Sequence, residues 1–201
     1  MILRSFAIFF ILLSSLTAHP VVFKNGKVFW LAQNPSFNDI RFGISKTNTW
    51  LVGGRFLEDR ETNETFALVN NNFLVKRWNN RNSQANLYLL SSAGMNTKNS
   101  EIMGTVGMHV DWEDRQFMVM QMLEYFSHNS SLVSNSRLAY SPYKVDYNRM
   151  STWLIAQYRV EYQKEEYVHM FFPIIRLFKG NYLVEFGSNG NNSFLTFMTH
   201  F

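Results

Sequence analysis

The sequence predicts an all-β fold, an antiparallel up-and-down transmembrane β-barrel of about twelve strands, with ten as the alternative. Three observations predict it. From His19 onward, apolar and polar residues alternate with a period of two, and helix-period patterns are scarce. β-branched and aromatic residues fill these runs, and the chain holds only 4 prolines, as strands require. The alternation also sorts charge, because ionisable residues fall mid-run on one face and leave the opposite face apolar.

The first element precedes the strands. "MILRSFAIFFILLSSLTAHP" places Arg4 before an apolar run from Phe6 to Leu13, then small and polar residues to Ala18. This is the order of a secretory signal peptide, expected over 1–18 with cleavage after Ala18. The run is too short to cross a hydrocarbon layer of ~30 Å as a helix, and no later segment approaches ~18 apolar residues. Residues 19–201 are then one domain. Export without a single cysteine means that burial or a closed hydrogen-bond network holds the domain, not disulfides.

The strands are expected at 27–33, 38–45, 49–58, 65–76, 85–95, 102–112, 115–126, 137–143, 152–162, 167–178, 181–187 and 194–201. The runs at 27–33 and 137–143 are the weak ones, and dropping them gives the ten-strand alternative. Twelve strands over the exported segment leave ~15 residues for each strand with its connection, enough for the ~9–11 residues a membrane strand needs. Tight links at 46–48, 111–114 and 179–181 tend to alternate with longer polar ones at 60–64, 96–101, 128–136, 163–166 and 188–193. Long and short connections alternate in this way in membrane barrels. The links at 78–84 and 145–150 blur the rule.

Individual runs show which face is which. "IMGTVGMHVDW" sets Ile102, Val106, Met108, Val110 and Trp112 against Thr105, His109 and Asp111. "TWLIAQYRVEY" sets Leu154, Ala156 and Val160 against Gln157, Arg159 and Glu161. In a soluble sandwich the ionised face would meet water and the apolar face would be the shared core. In a membrane barrel the apolar face meets lipid and the charges pair inside. Aromatic residues near strand ends (Trp50, Trp78, Trp112, Tyr125, Tyr158, Tyr162, Tyr167 and Tyr182) favour the membrane version as interfacial girdles. The expected interior charges are Arg41, Arg55, Lys76, Asp111, Glu124, Arg159, Glu161, Arg176 and Glu185. Buried ions must pair, since a lone one costs several kcal/mol. Bulky Leu57, Leu74, Trp153 and Phe178 on the same face predict a narrow or plugged lumen rather than an open channel.

The final run, "SFLTFMTHF", ends on Phe201. A terminal aromatic closing an amphipathic strand resembles the C-terminal signature of bacterial outer-membrane proteins, which implies recognition by the barrel-assembly machinery. Thr199 stands where that signature often has a second aromatic residue. "LVKRWNNRNSQANLYLLSSAG" (74–94), "VDWEDRQFMV" (110–119), "TWLIAQ" (152–157) and "PIIRLFKGNYLVEFG" (173–187) resemble a family of uncharacterised Gram-negative envelope proteins. The resemblance covers most of the exported segment. It implies an envelope location and, through an association with heavy-metal handling, a metal-related role; it supplies no catalytic residues.

The constellations that could carry chemistry are few. Met118, Met120 and Met122 share a strand face with Glu124, and His109 falls on the corresponding face of the preceding strand. Thioether and imidazole suit a soft metal such as copper(I), although methionine also fills irregular interiors for packing reasons. Asp111, Glu113 and Asp114 crowd a tight turn, where local hydrogen bonding explains them. His128 beside Ser130 and Ser131 is the sole crude nucleophile–base arrangement, and loop neighbours rarely meet the geometry required. No phosphate loop, zinc spacing or cofactor motif occurs. A net charge of +4 without a basic block argues against nucleic acid. The expected partners are the lipid bilayer and the assembly machinery. The expected place is the outer membrane, with a periplasmic, soluble ligand- or metal-binding barrel or sandwich as the alternative.

Overall fold

A computed structural model describes residues 20–146 and 149–201. The expected leader, 1–18, lies outside the described residues. Twelve strands follow one another: β1 (Lys27–Gln33), β2 (Phe37–Ser45), β3 (Trp50–Asp59), β4 (Thr65–Asn79), β5 (Ser83–Asn96), β6 (Ile102–Asp114), β7 (Phe117–Phe126), β8 (Ser131–Tyr140), β9 (Ser151–Gln163), β10 (Glu166–Lys179), β11 (Tyr182–Ser188) and β12 (Ser193–His200). Each pairs antiparallel with its sequence neighbours, and β1 pairs with β12 from Val28↔His200 to Gln33↔Leu195. Closure removes the sheet edges, whose N–H and C=O groups would otherwise lack partners. At ~4.8 Å between strands and a tilt of ~40°, twelve strands enclose a cylinder roughly 24 Å across. The last ladder pair joins the start of β1 to the residue after β12: Lys27 N–H donates to the Phe201 carbonyl (2.7 Å), and Phe201 N–H donates to the Lys27 carbonyl (3.0 Å).

Both rims carry short connections, so the expected alternation of long and short links does not hold. The longest connection, 141–150, sits on the rim that also holds the start of β1 and the end of β12. The stretch 128–136, expected as a long loop, is mostly strand. β8 begins at Ser131, six positions before the expected start, and turns Ser131, Val133, Asn135, Arg137 and Ala139 inward. Serine and asparagine are at home there because this sheet's inner face is itself polar.

A second departure comes from a bulge. The β4–β5 register runs Leu74↔Tyr88, then Lys76↔Leu87, leaving Val75 over. An extra residue inverts the phase of the strand beyond it. Lys76 is therefore exposed on the outer face, contrary to its expected lumen position, and Arg77 turns inward instead.

The inside is filled in layers. Near the rim opposite the start of β1 and the end of β12 (the loop rim), Phe37, Leu57, Phe66, Leu68, Met103, Phe126 and Val133 form one apolar cluster, with Phe37 and Phe126 stacked at 4.5 Å. Toward the terminal rim, Leu51, Leu74, Tyr88, Leu90, Leu183 and Met198 form another. Residues that precede β1 enter that mouth. Val21 is buried within the second cluster, and the Pro20 carbonyl accepts from Asn72 Nδ2 (3.0 Å). β2 and β3 approach closely where Gly43 faces Gly53. A Cβ on Gly53 would lie 1.8 Å from the Phe42 carbonyl oxygen, so only glycine fits that bend.

Candidate functional site

The lumen is the candidate site, and its middle is ionic. Arg41 on β2 stands opposite Arg55 on β3 in the ladder. Two like charges become neighbours only if carboxylates hold them. Asp39, two residues from Arg41 on the same face, accepts from Arg41 Nη2 (2.6 Å) and Arg55 Nη2 (2.8 Å). Glu124 reaches in from β7, with Oε1 2.5 Å from Arg55 Nη1 and Oε2 3.7 Å from Arg41 Nη2. Arg55 Nη1 also donates to Thr105 Oγ1 (3.2 Å). Arg55 thus crosses the lumen and ties β3 to β6 and β7. It is 2 % exposed, so these bonds replace water rather than compete with it.

Three further polar groups surround this one. Glu185 on β11 accepts from Arg176 Nη2 (2.6 Å) and Arg137 Nη1 (3.1 Å), while Arg137 Nε donates to Gln157 Oε1 (2.6 Å). Arg159 pairs with Glu161, whose carboxylate also takes the Ser36 hydroxyl. Asp111 accepts from Asn86 Nδ2 (2.6 Å) and lies 2.9 Å from His109 Nε2, and Asn86 accepts from Arg77 Nε (2.7 Å).

The expected lumen charges therefore come together in groups. Arg41, Arg55 and Glu124 share one, Arg176 and Glu185 another, and Arg159 and Glu161 a third, with Asp111 beside His109. Lys76 is the exception. Sequence reading missed Asp39 and Arg137. Asp39 carried a signal, since "NDIRF" puts it on the face of Arg41; Arg137 was obscured by the misplaced start of β8. The bulky Leu57, Leu74, Trp153 and Phe178 do pack inside.

Met118, Met120, Met122 and His109 line one cavity, as their shared inward face requires. That arrangement opposes a cation. Arg176 Nη1 is 3.6 Å from Met118 Sδ, Asp111 takes His109 Nε2, and five arginines line the same space. Among the described residues, no group of three or more His, Asp or Glu side chains could hold a metal ion. His128 sits in the turn between β7 and β8 with its side chain turned inward, 4 % exposed. Its Nε2 lies 2.9 Å from Asp59 Oδ2 and its ring packs against Phe66 at 4.7 Å. Its Nδ1 makes no hydrogen bond, so neither Ser130 nor Ser131 completes a nucleophile–base pair with it.

The cavity has a volume of about 110 Å³. It runs from Leu183 and Met198 toward Asn34 and Phe37 near the loop rim, between the ionic groups and an apolar wall. Comparison with protein-family models, curated proteins and solved structures finds no match to this chain.

Proposed function

We propose that this chain is an integral outer-membrane barrel with a closed, ion-paired interior, a component of the envelope rather than an open pore. One observation carries the reading: the outward face is predominantly apolar, its mid-strand polar residues on β7 and β8 (Gln121, Ser134 and Ser136) hydrogen-bonded to one another, while the buried arginines and carboxylates face the axis. Ile102, Leu138, Leu89, Val106, Ile175, Phe171 and Phe186 all project outward and are exposed. In water, a continuous belt of this kind far exceeds the few hundred Å² a monomer ordinarily leaves uncovered. Hydrocarbon accounts for it without a partner. On β6 the belt extends from Ile102 to Trp112; ten steps of ~3.3 Å at a tilt of ~40° make it about 25 Å tall, the height of an apolar barrel band. Aromatic side chains border it at both rims. Trp50, Trp78, Trp112 and Tyr182 lie toward the terminal rim, and Tyr125, Tyr158, Tyr162 and Tyr167 toward the loop rim. The same geometry counts against the soluble, periplasmic alternative, whose apolar face would have to be internal.

Passage of solutes is opposed by the filling of the lumen: the Arg55 bridge spans the middle, and apolar clusters occupy both mouths. Membrane fractionation tests the location. The chain should resist carbonate extraction, need detergent for release, and migrate faster on a gel before boiling than after it. Release by salt alone would refute the reading.

A further inference from the structure

Charge is divided unequally between the two rims. The terminal rim, at the start of β1 and the end of β12, carries nine exposed lysines and arginines against two exposed or half-buried acids, Asp114 and Asp146. The loop rim carries three such cations against six such acids. The cations of the terminal rim are also spread around it. Each of its six junctions contributes at least one: Lys24 before β1, then Lys46, Arg81, Arg115, Lys144 and Lys179 in or beside the connections β2–β3, β4–β5, β6–β7, β8–β9 and β10–β11. Their own rim does not neutralise them. Among the described residues, none of these six forms an ion pair. Asp114 is occupied in accepting from the backbone N–H groups of Gln116 and Phe117 (2.7 Å each), and Asp111 and Glu113 are buried within the barrel. On the loop rim, by contrast, Lys164 is paired with Glu61 at 2.6 Å. Like charges held around one ring repel one another, so a ring of unpaired cations points to an anionic surface around it.

We propose that the terminal rim is a collar for anionic phospholipids, each junction holding a phosphodiester headgroup of the leaflet around it. This rests on the reading of the chain as a membrane barrel. Distribution selects lipid over a protein or a polymer: either of those would meet one arc of the rim, whereas lipid surrounds it. Spacing agrees, because six junctions on a cylinder roughly 24 Å across lie about 12 Å apart, too far for one headgroup to bridge two. Level agrees as well. Trp50, Trp78 and Trp112 border the apolar belt at this rim, and Lys76 leaves the outer face two positions from Trp78. A lysine so placed lays its stem along apolar surface and lifts its ammonium into the headgroups. The chemistry then sets the class of lipid. Arginine offers a phosphate two parallel N–H donors and lysine a point charge. Phosphatidylcholine cancels its phosphate with its own choline, and phosphatidylglycerol does not. The collar should therefore choose lipids by net headgroup charge, and salt should weaken the choice.

The folded barrel supplies its own probe, because Trp50, Trp78 and Trp112 face outward at this rim while Trp30 and Trp153 pack inside. The barrel is placed in phosphatidylcholine vesicles in which a minor share of the lipid is either phosphatidylglycerol or phosphatidylcholine brominated on its acyl chains. Bromine quenches tryptophan on contact, so quenching reports which lipid occupies the shell. Brominated phosphatidylglycerol should be enriched at least threefold over brominated phosphatidylcholine, and the ratio should fall toward one in molar salt. Lys46→Gln, Arg81→Gln, Arg115→Gln and Lys179→Gln together should bring it below twofold. Arg60→Gln with Lys98→Gln, on the loop rim, should leave it unchanged; faster gel mobility before boiling reports that each variant is folded. Equal quenching by the two lipids in the native barrel overturns the proposal and leaves the membrane reading standing, whatever the variants do. Full enrichment in the folded terminal-rim variant, or an equal loss in the loop-rim variant, overturns it as well. Quenching by neither lipid overturns the membrane reading and the proposal with it.

Discussion

Replacing Arg55 by methionine is the sharpest perturbation of the lumen. The side chain keeps most of its length and loses the guanidinium that Asp39 and Glu124 share. The two carboxylates are not affected alike. Asp39 retains Arg41 at 2.6 Å, whereas Glu124 retains only the Arg41 contact at 3.7 Å and is left buried without a close cation. One broken pair rather than two therefore sets the scale, and removing one partner of a buried pair costs about 3–5 kcal/mol. Neutralising the stranded acid should recover much of that loss, so Arg55→Met with Glu124→Gln should be markedly more stable than the sum of the single changes predicts. For residues in one network the coupling should reach about 2 kcal/mol or more. Urea unfolding in lipid vesicles, followed by tryptophan fluorescence and by gel mobility before boiling, measures each corner of this cycle. A loss below about 0.5 kcal/mol for Arg55→Met, the level of an uninvolved surface change, would refute the reasoning. Strict additivity of the two substitutions would refute it too.

The remaining predictions address the wall and the mouth. Gly53→Ala should block folding, because its Cβ would meet the Phe42 carbonyl oxygen at 1.8 Å, while Gly104→Ala, with nothing nearer than 3.6 Å, should fold normally; the fraction of boil-sensitive gel mobility compares them. Leu89→Arg puts a charge on the outer face in the middle of the apolar belt and should cost about 2–4 kcal/mol in vesicle-based unfolding, and an unchanged midpoint would mean that this face does not meet hydrocarbon. Val21→Asp should expel the segment before β1 from the terminal mouth, where Val21 packs with Leu51, Leu74 and Tyr88. Cleavage of that segment by an added protease should then be severalfold faster than in the native barrel, and an equal rate would show that the segment does not pack in the mouth.

What the sequence made legible was what each strand decides by itself. Alternation is local, so twelve strands and their inward charges could be read wherever a run was strongly two-sided, as in "TWLIAQYRVEY" on β9. β8 was harder because its inward Ser131 and Asn135 look like loop residues unless the polar lumen is already known. Lys76 was misassigned because a bulge is a property of two strands, visible only in how β4 meets β5. The partner of Arg55 lies 69 positions away in Glu124, and no spacing rule reaches across a cylinder. The contacts of Gln157 were less legible still. Gln157 is an ordinary inward residue until Arg137 fixes its oxygen, and that contact depends on the register of β8 with β9.

The β1–β12 join bears on how such a molecule is born. These two strands are the most distant in the chain, so the clasp that seals the ring is fastened only when the last hairpin is present. Any half-built intermediate keeps two raw flanks, and away from water each unmet amide costs several kcal/mol. A lone nascent chain thus has no comfortable resting place in a lipid phase, and a host template that lends its own strand to the open flank would remove that obstacle.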